Sequence, residues 1–335
     1  MDGGSGAGLW TAAARGLPTG QTAYVFPRIF TRRQALAAGF TPSQIATRLL
    51  RGRWLALAPG VYVAADEYAR IDGRTQHLWQ AEALLLTVGP EHVVSHRSAA
   101  VAHGWSLLGP LPRRPLLTRA PRSATDASPN RFVRVAGLPN TDVVRVTGLR
   151  VTSPARTVID LARHESRASG VIAADSALHG GLDPEVLAAA LGRQATWPGA
   201  RAAAAVMGLA DGRADGALES LARLAFADGG LPPPELQVPV RDEYGRLIGI
   251  VDFLWRAQRS AAEVDGLLKY TSPLDLRREK QREDDLRRTG LEVVRADWRE
   301  VTRLPELVVR RVRDAFDLAH GRRDVPTRFV LPPAA

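Results

Sequence analysis

Three carboxylates lie on two short apolar segments. Residues 250–255 hold Asp252, and residues 260–266 hold Glu263 and Asp265. Both segments are rich in strand formers. Side chains alternate along a strand, so Glu263 and Asp265 share a face, and Asp252 joins them if the segments pair. Val251, Phe253, Ala262 and Val264 alternate with the acids. This predicts one apolar sheet face and a second face that carries the acids with Leu254 and Ala261. Like charges this close repel unless a cation lies between them, and a hard divalent metal with oxygen ligands is the usual one. The bland alternative puts each acid on a solvated face, since charged residues are rarely buried unless paired.

The elements that must hold these acids follow in a readable order. A helix over 217–226 carries Glu219, and strands follow over 234–240, 247–255 and 260–265. A charged helix over 274–288 stops at Gly290. A strand over 291–295 and a closing helix over 301–319 complete the order αβββαβα. Pro198, Gly199, Gly208, Gly212 and Gly216 place a domain boundary at 200–215. Upstream, residues 75–200 read as a mixed region. Helices are expected over 77–88, 95–105, 154–163 and 171–178, and strands over 116–119, 132–135 and 143–151. His96 and His103 stand seven apart with no third ligand in view, which favours packing roles. Asp160 has Arg156 four residues before it, the spacing of a helical ion pair.

Residues 24–66 read as two short helices and a hairpin. Thr31 caps a helix that Gly39 stops. Thr41 caps the next, and Pro42 fits its first turn. Ile45, Leu49 and Leu50 form an apolar stripe on the second helix. Residues 54–63 form two strands about Pro59-Gly60. Helix, glycine turn, helix and hairpin is the order of a winged helix-turn-helix, whose second helix enters the major groove of DNA. Thr41, Ser43, Gln44 and Thr47 then face base edges, while Arg48, Arg51 and Arg53 meet phosphates. A plain helical hairpin with a solvated basic edge is the alternative.

The chain has 335 residues, room for two or three domains. It has no cysteine, which excludes disulfides and thiolate metal sites and points to a cytoplasmic location. The net charge of +10 favours a polyanionic partner, nucleic acid above all. Arginine and alanine both run high, as high-GC coding produces, and this raises the charge even without such a partner. No stretch is apolar for long enough to expect a membrane span. Residues 1–23 are rich in glycine and alanine without a signal-peptide pattern and read as a tail. Residues 321–335 read as a second tail.

These pieces carry two resemblances. Residues 217–316 resemble the PD-(D/E)XK nuclease fold through LESLARLAFADGGLPPPELQV, VDFLW, AEVDG and LRREKQREDDLRRTGLEVVRADW. More narrowly, they are similar to a domain widespread in actinobacteria and related to the very-short-patch-repair endonucleases. Residues 24–190 resemble the AbiEi-like antitoxin of type IV toxin–antitoxin systems. The winged-helix segment, SHRSAAVAHG at 95–104 and TSPARTVIDLAR at 152–163 carry that likeness.

The first resemblance implies an endonuclease dependent on Mg2+ or Mn2+ that hydrolyses phosphodiester bonds of nucleic acid, duplex DNA foremost. Asp252 and Glu263 would be its metal ligands, with the Val264 carbonyl as a third and Glu219 holding a metal-bound water. The metal would activate water and neutralise the scissile phosphate. The family pattern ends in E-x-K, whereas position 265 is Asp. Asp265 then binds metal, Lys280 supplies the missing cation and Lys269 contacts phosphate. The second resemblance implies the alternative, a non-catalytic DNA-binding antitoxin and autoregulator with a degenerate nuclease domain and a cognate toxin as partner. The expected layout is α/β and multidomain: a winged helix-turn-helix over 24–70, a mixed α+β antitoxin-like region over 71–200 and a restriction-endonuclease-like αβββαβ domain over 214–320.

Overall fold

Thr31 and Thr41 start the ordered architecture by closing two capping boxes, with Gln34 and Gln44 as their partners. The computed structural model describes residues 28–123, 132–265, 281–282, 284–286, 288–322 and 329–330. The mixed α/β class expected from the sequence is found, with three sheets among the described residues. The chain divides into two compact units. One comprises the chain to Gly104 together with Pro110–Ser153; the other comprises Trp105–Gly109 and the chain from Pro154.

The first unit begins with β1 (Phe30–Thr31), α1 (Arg32–Ala37), α2 (Pro42–Leu50), β2 (Trp54–Ala58) and β3 (Val61–Ala64). Pro42 occupies the first turn of α2, where a missing N–H costs nothing. Gly39 joins the helices at φ 90°, a conformation that side-chain-bearing residues resist. The strands order β1-β3-β2. Phe30, Phe40, Trp54 and Tyr62 fill the small core, with the Phe30 and Trp54 rings edge-on at 4.8 Å. Such a pair adds roughly 1 kcal/mol beyond its buried area.

The rest of that unit holds α3 (Ala65–Arg70), α4 (Gly73–Leu85), α5 (His96–Ala102) and a sheet of order β6-β5-β4-β8-β7. These strands are β4 (Val93–Val94), β5 (Leu117–Arg119), β6 (Val133–Val135), β7 (Val143–Val146) and β8 (Leu149–Thr152). His77 Nε2 lies 2.8 Å from Ser98 Oγ, and His103 Nε2 lies 2.8 Å from the Thr152 carbonyl. Burial holds His77 near pKa 4 and therefore neutral.

The second unit opens with α6 (Pro154–His164), α7 (Arg167–His179), α8 (Pro184–Arg193), α9 (Ala200–Met207) and α10 (Ala217–Asp228). Asp160 pairs with Arg156 at 2.9 Å, as its spacing predicts, and both are buried. α9 lies among the glycines of 199–216, and α7 is tied to α10 across them. Asp175 of α7 accepts hydrogen bonds from Ser220 Oγ at 2.7 Å and Arg223 Nη2 at 2.6 Å. It also accepts the Asp211 N–H at 2.7 Å.

A sheet of order β12-β11-β10-β9-β13 follows. Its strands are β9 (Glu235–Asp242), β10 (Leu247–Trp255), β11 (Ser260–Asp265), β12 (Glu292–Asp297) and β13 (Phe329–Val330). Residues 281, 282, 284–286 and 288 are helical, here called α11. The expected closing helix is broken at Pro305 into α12 (Trp298–Arg303) and α13 (Pro305–Gly321). Both sheet faces are covered. Phe226, Phe253, Trp255, Ala262, Val264 and Val312 share one core. Val238, Val251, Leu254, Ala261, Leu286 and Leu291 share the other. The expectation of one apolar face and one acid-bearing face is thereby corrected.

Candidate functional site

The carboxylates of the second unit converge through strand pairing. β10 and β11 run antiparallel with Phe253 opposite Ala262. One step further, Asp252 Oδ2 accepts the Val264 N–H at 2.8 Å, which ties it to β11 beside Glu263. Gln237 of β9 bridges two acids: its Nε2 donates to Glu219 Oε2 at 2.9 Å and to Asp252 Oδ1 at 3.3 Å. Glu219 Oε2 also accepts the Asp215 N–H at 3.0 Å.

Gln237 has φ 52° inside a strand. The β9–β10 ladder pairs Leu236 with Phe253 and Val238 with Val251, and the level between them carries no pair. Side chains on either side of that level pack into different cores. Leu236 and Phe253 enter one core, Val238 and Val251 the other. That is why Val251 does not share a face with Phe253. Left-handed backbone at a non-glycine residue costs on the order of 1–3 kcal/mol and persists only where its surroundings enforce it.

Glu263 is 5% exposed and held by two guanidiniums. Arg282 of α11 donates Nη1 to Oε1 at 2.6 Å and Nη2 to Oε2 at 2.9 Å. Arg295 Nη2 lies 3.1 Å from Oε2. The parallel register of β11 with β12 sets Arg295 opposite Glu263 and Asp297 opposite the half-buried Asp265. Neither arginine nor Gln237 was legible as a site residue. Parallel pairing of the strands at 260–265 and 291–295, had it been drawn, would have set Arg295 beside Glu263.

Burial is the main cause that raises the Asp252 carboxyl, to a pKa of about 6. The Glu219 and Glu263 charges push the same way, while the Val264 N–H and the Gln237 amide oppose them. A divalent cation needs carboxylate oxygens to coordinate and no other cation in their midst. Both Glu263 oxygens face guanidiniums, and each Asp252 oxygen accepts a hydrogen bond. The residues so arranged do not fit Mg2+ or Mn2+, and no hydrolytic step is derived through either. Lys269 and Lys280, the expected substitutes for the family lysine, lie outside the described residues.

In the first unit, the α2 residues divide by role. Thr41 Oγ1 accepts the Gln44 N–H at 3.2 Å, and Gln44 Oε1 accepts the Thr41 N–H at 2.8 Å. Both side chains therefore cap the helix rather than standing apart as base-reading groups. Ser43, Thr47, Arg51 and Arg53 are exposed. Arg48 differs from its assignment as a phosphate contact. Its guanidinium lies over the Phe40 ring at 4.7 Å and the Trp54 ring at 5.5 Å. Burial, with Arg53 adding to it, lowers its pKa. A guanidinium on two aromatic faces packs well, because it is weakly hydrated and planar.

Comparison with known proteins bears on the middle of the chain. Residues 83–210 match the family described as AbiEi antitoxin C-terminal domain. The uncharacterized proteins MT2308 and Rv2248, from two strains of Mycobacterium tuberculosis, are each 34% identical over 176 residues. The match takes in 52% of this chain and 65% of each relative, so the chain spans just under two thirds of their length. The crystal structure of the RV2827C protein from Mycobacterium tuberculosis is 17% identical. That likeness covers 54% of this chain and 72% of the other at a TM-score of 0.37, too slight to inform the fold. No helix among the described residues is long and apolar enough to cross a membrane. The comparisons therefore show a similarity to the AbiEi antitoxin C-terminal domain over residues 83–210.

Proposed function

We propose that this chain is a DNA-binding regulator of the antitoxin kind, with a cognate toxin as its partner and a C-terminal unit that does not hydrolyse nucleic acid. The AbiEi antitoxin match over 83–210 carries the reading. It fits the alternative drawn from the sequence better than the nuclease. Two capped helices, a glycine turn and a three-stranded hairpin precede that stretch. That order supports a winged helix-turn-helix reading, in which the exposed Ser43 and Thr47 lie on the second helix. Arg51 and Arg53 follow at the exposed end, suited to phosphate, and the net charge is +10.

The three arginines separate by experiment. Arg51→Ala and Arg53→Ala are expected to weaken duplex binding for any sequence and each to reduce the salt slope by about 1, as loss of a phosphate contact does. Arg48→Ala is expected to leave that slope unchanged. It lowers the melting temperature instead, since two cation–π contacts are lost, each of about 0.5–1 kcal/mol. Fluorescence anisotropy over a salt series, with thermal melts of the same variants, reads both. A salt slope that drops with Arg48→Ala and not with Arg51→Ala or Arg53→Ala contradicts the assignment.

A further inference from the structure

We infer that Arg282 is the resident cation of the carboxylate centre, taking the place a metal would fill, and that Gly249 is the residue that makes room for it. Three independent observations meet there. Glu263 gives both oxygens to Arg282 at 2.6 and 2.9 Å, the two-pronged geometry that fits a guanidinium and no spherical ion. Arg295 adds a second guanidinium at 3.1 Å, so the charge of Glu263 is already balanced.

The third observation is a cradle. A Cβ added to Gly249 of β10 would lie 3.2 Å from Arg282 Cδ and 3.2 Å from its Nη1. The far end of a free arginine would simply swing away. This end is held by its double hydrogen bond to a buried carboxylate, which resists the shift of a few tenths of an ångström that the added carbon would demand. Gly249 therefore stands where α11 sends its side chain across β10 to reach β11.

The cation in this position has consequences for a metal. An ion would have to expel a guanidinium from a buried, bidentate pair and leave it uncompensated, which is costly. Glu219 and Asp252 are likewise engaged within the protein. Gln237 donates to Glu219 and to Asp252, and the Val264 N–H takes the other Asp252 oxygen. The centre is thus a structural ion-pair network that joins α11, β11 and β12. The inference deepens the non-hydrolytic reading of this unit. Its test reads metal response and stability, not cleavage or DNA affinity, so either can fail while the other stands.

The full chain is titrated with Mn2+ and, separately, Mg2+, and its melting temperature is compared with that in chelator. The temperatures are expected to agree within about 1 °C, because a ligand that does not bind the folded state does not stabilise it. A rise of several degrees in the wild type that Glu263→Gln removes overturns the inference. A double-substitution cycle tests the cradle. Gly249→Ala is expected to lower the melting temperature by roughly 5 °C in the wild type and by less than about 1 °C in an Arg282→Ala background, as coupled neighbours behave. An equal fall in both backgrounds shows that Gly249 does not serve Arg282. The metal titration stands even if Arg282→Ala fails to fold.

Discussion

Glu263→Gln lowers the stability of the second unit by about 3 kcal/mol, the cost of removing one partner from a buried pair. Glu263 is buried, and two guanidiniums, each about a quarter exposed, lose their counter-charge. Melting at neutral pH should fall by roughly 6–12 °C for a unit of this size. A carboxylate serving as a metal ligand amid other acids behaves differently. Without metal, its neutralisation relieves repulsion and raises stability. An unchanged or raised melting temperature therefore removes the ion-pair account of Glu263.

The neighbouring acid is expected to answer with the opposite sign. Asp252 has a folded pKa of about 6 against an ordinary value near 3.8. Between those values the folded state holds the proton more tightly than the unfolded one. Stability from this group is therefore complete below about pH 3.8 and is lost as pH rises through about 6. At neutral pH its ionisation costs up to about 3 kcal/mol. Asp252→Asn keeps a carbonyl oxygen for the Val264 N–H and removes the charge near Glu219 and Glu263. It should raise the melting temperature at about pH 7.5 and flatten the fall in stability between about pH 4 and 6. Urea unfolding of wild type and variant across that range reads the difference. Equal pH profiles, or a variant less stable at neutral pH, contradict the assigned environment of Asp252.

The local signals in the sequence held well. Thr31, Gly39, Thr41 and Pro42 mark the helices they were expected to mark, because caps and glycine turns act within a few residues. The Arg156–Asp160 pair follows from spacing alone. The strands that carry Asp252 and Glu263, and the helix that carries Glu219, also lie where their patterns place them. What was not legible depends on distant partners. The left-handed backbone of Gln237 has no composition signal, and neither does the packing of Val251 in a different core from Phe253. Arg282 reaches Glu263 across nineteen residues, and nothing in a charged helix distinguishes it from its neighbours. Arg48 reads as a phosphate contact until Phe40 of the helix turn and Trp54 of the hairpin are brought under it. The alanine-rich α9 between the glycines near 200 was not read from the sequence, because the turn formers around it dominate the local pattern.

The regulator proposed above binds duplex DNA without cutting it. The most direct measurement incubates the full chain with end-labelled duplex at low salt, in Mg2+, Mn2+ or chelator, and resolves complex from free DNA and intact from cut strands in paired native and denaturing gels. The account predicts a retarded, intact duplex in all three conditions, with retardation weakened by Arg51→Ala combined with Arg53→Ala. Cleavage that needs Mg2+ or Mn2+ and disappears in Asp252→Asn, or the absence of any retarded complex at low salt, contradicts it.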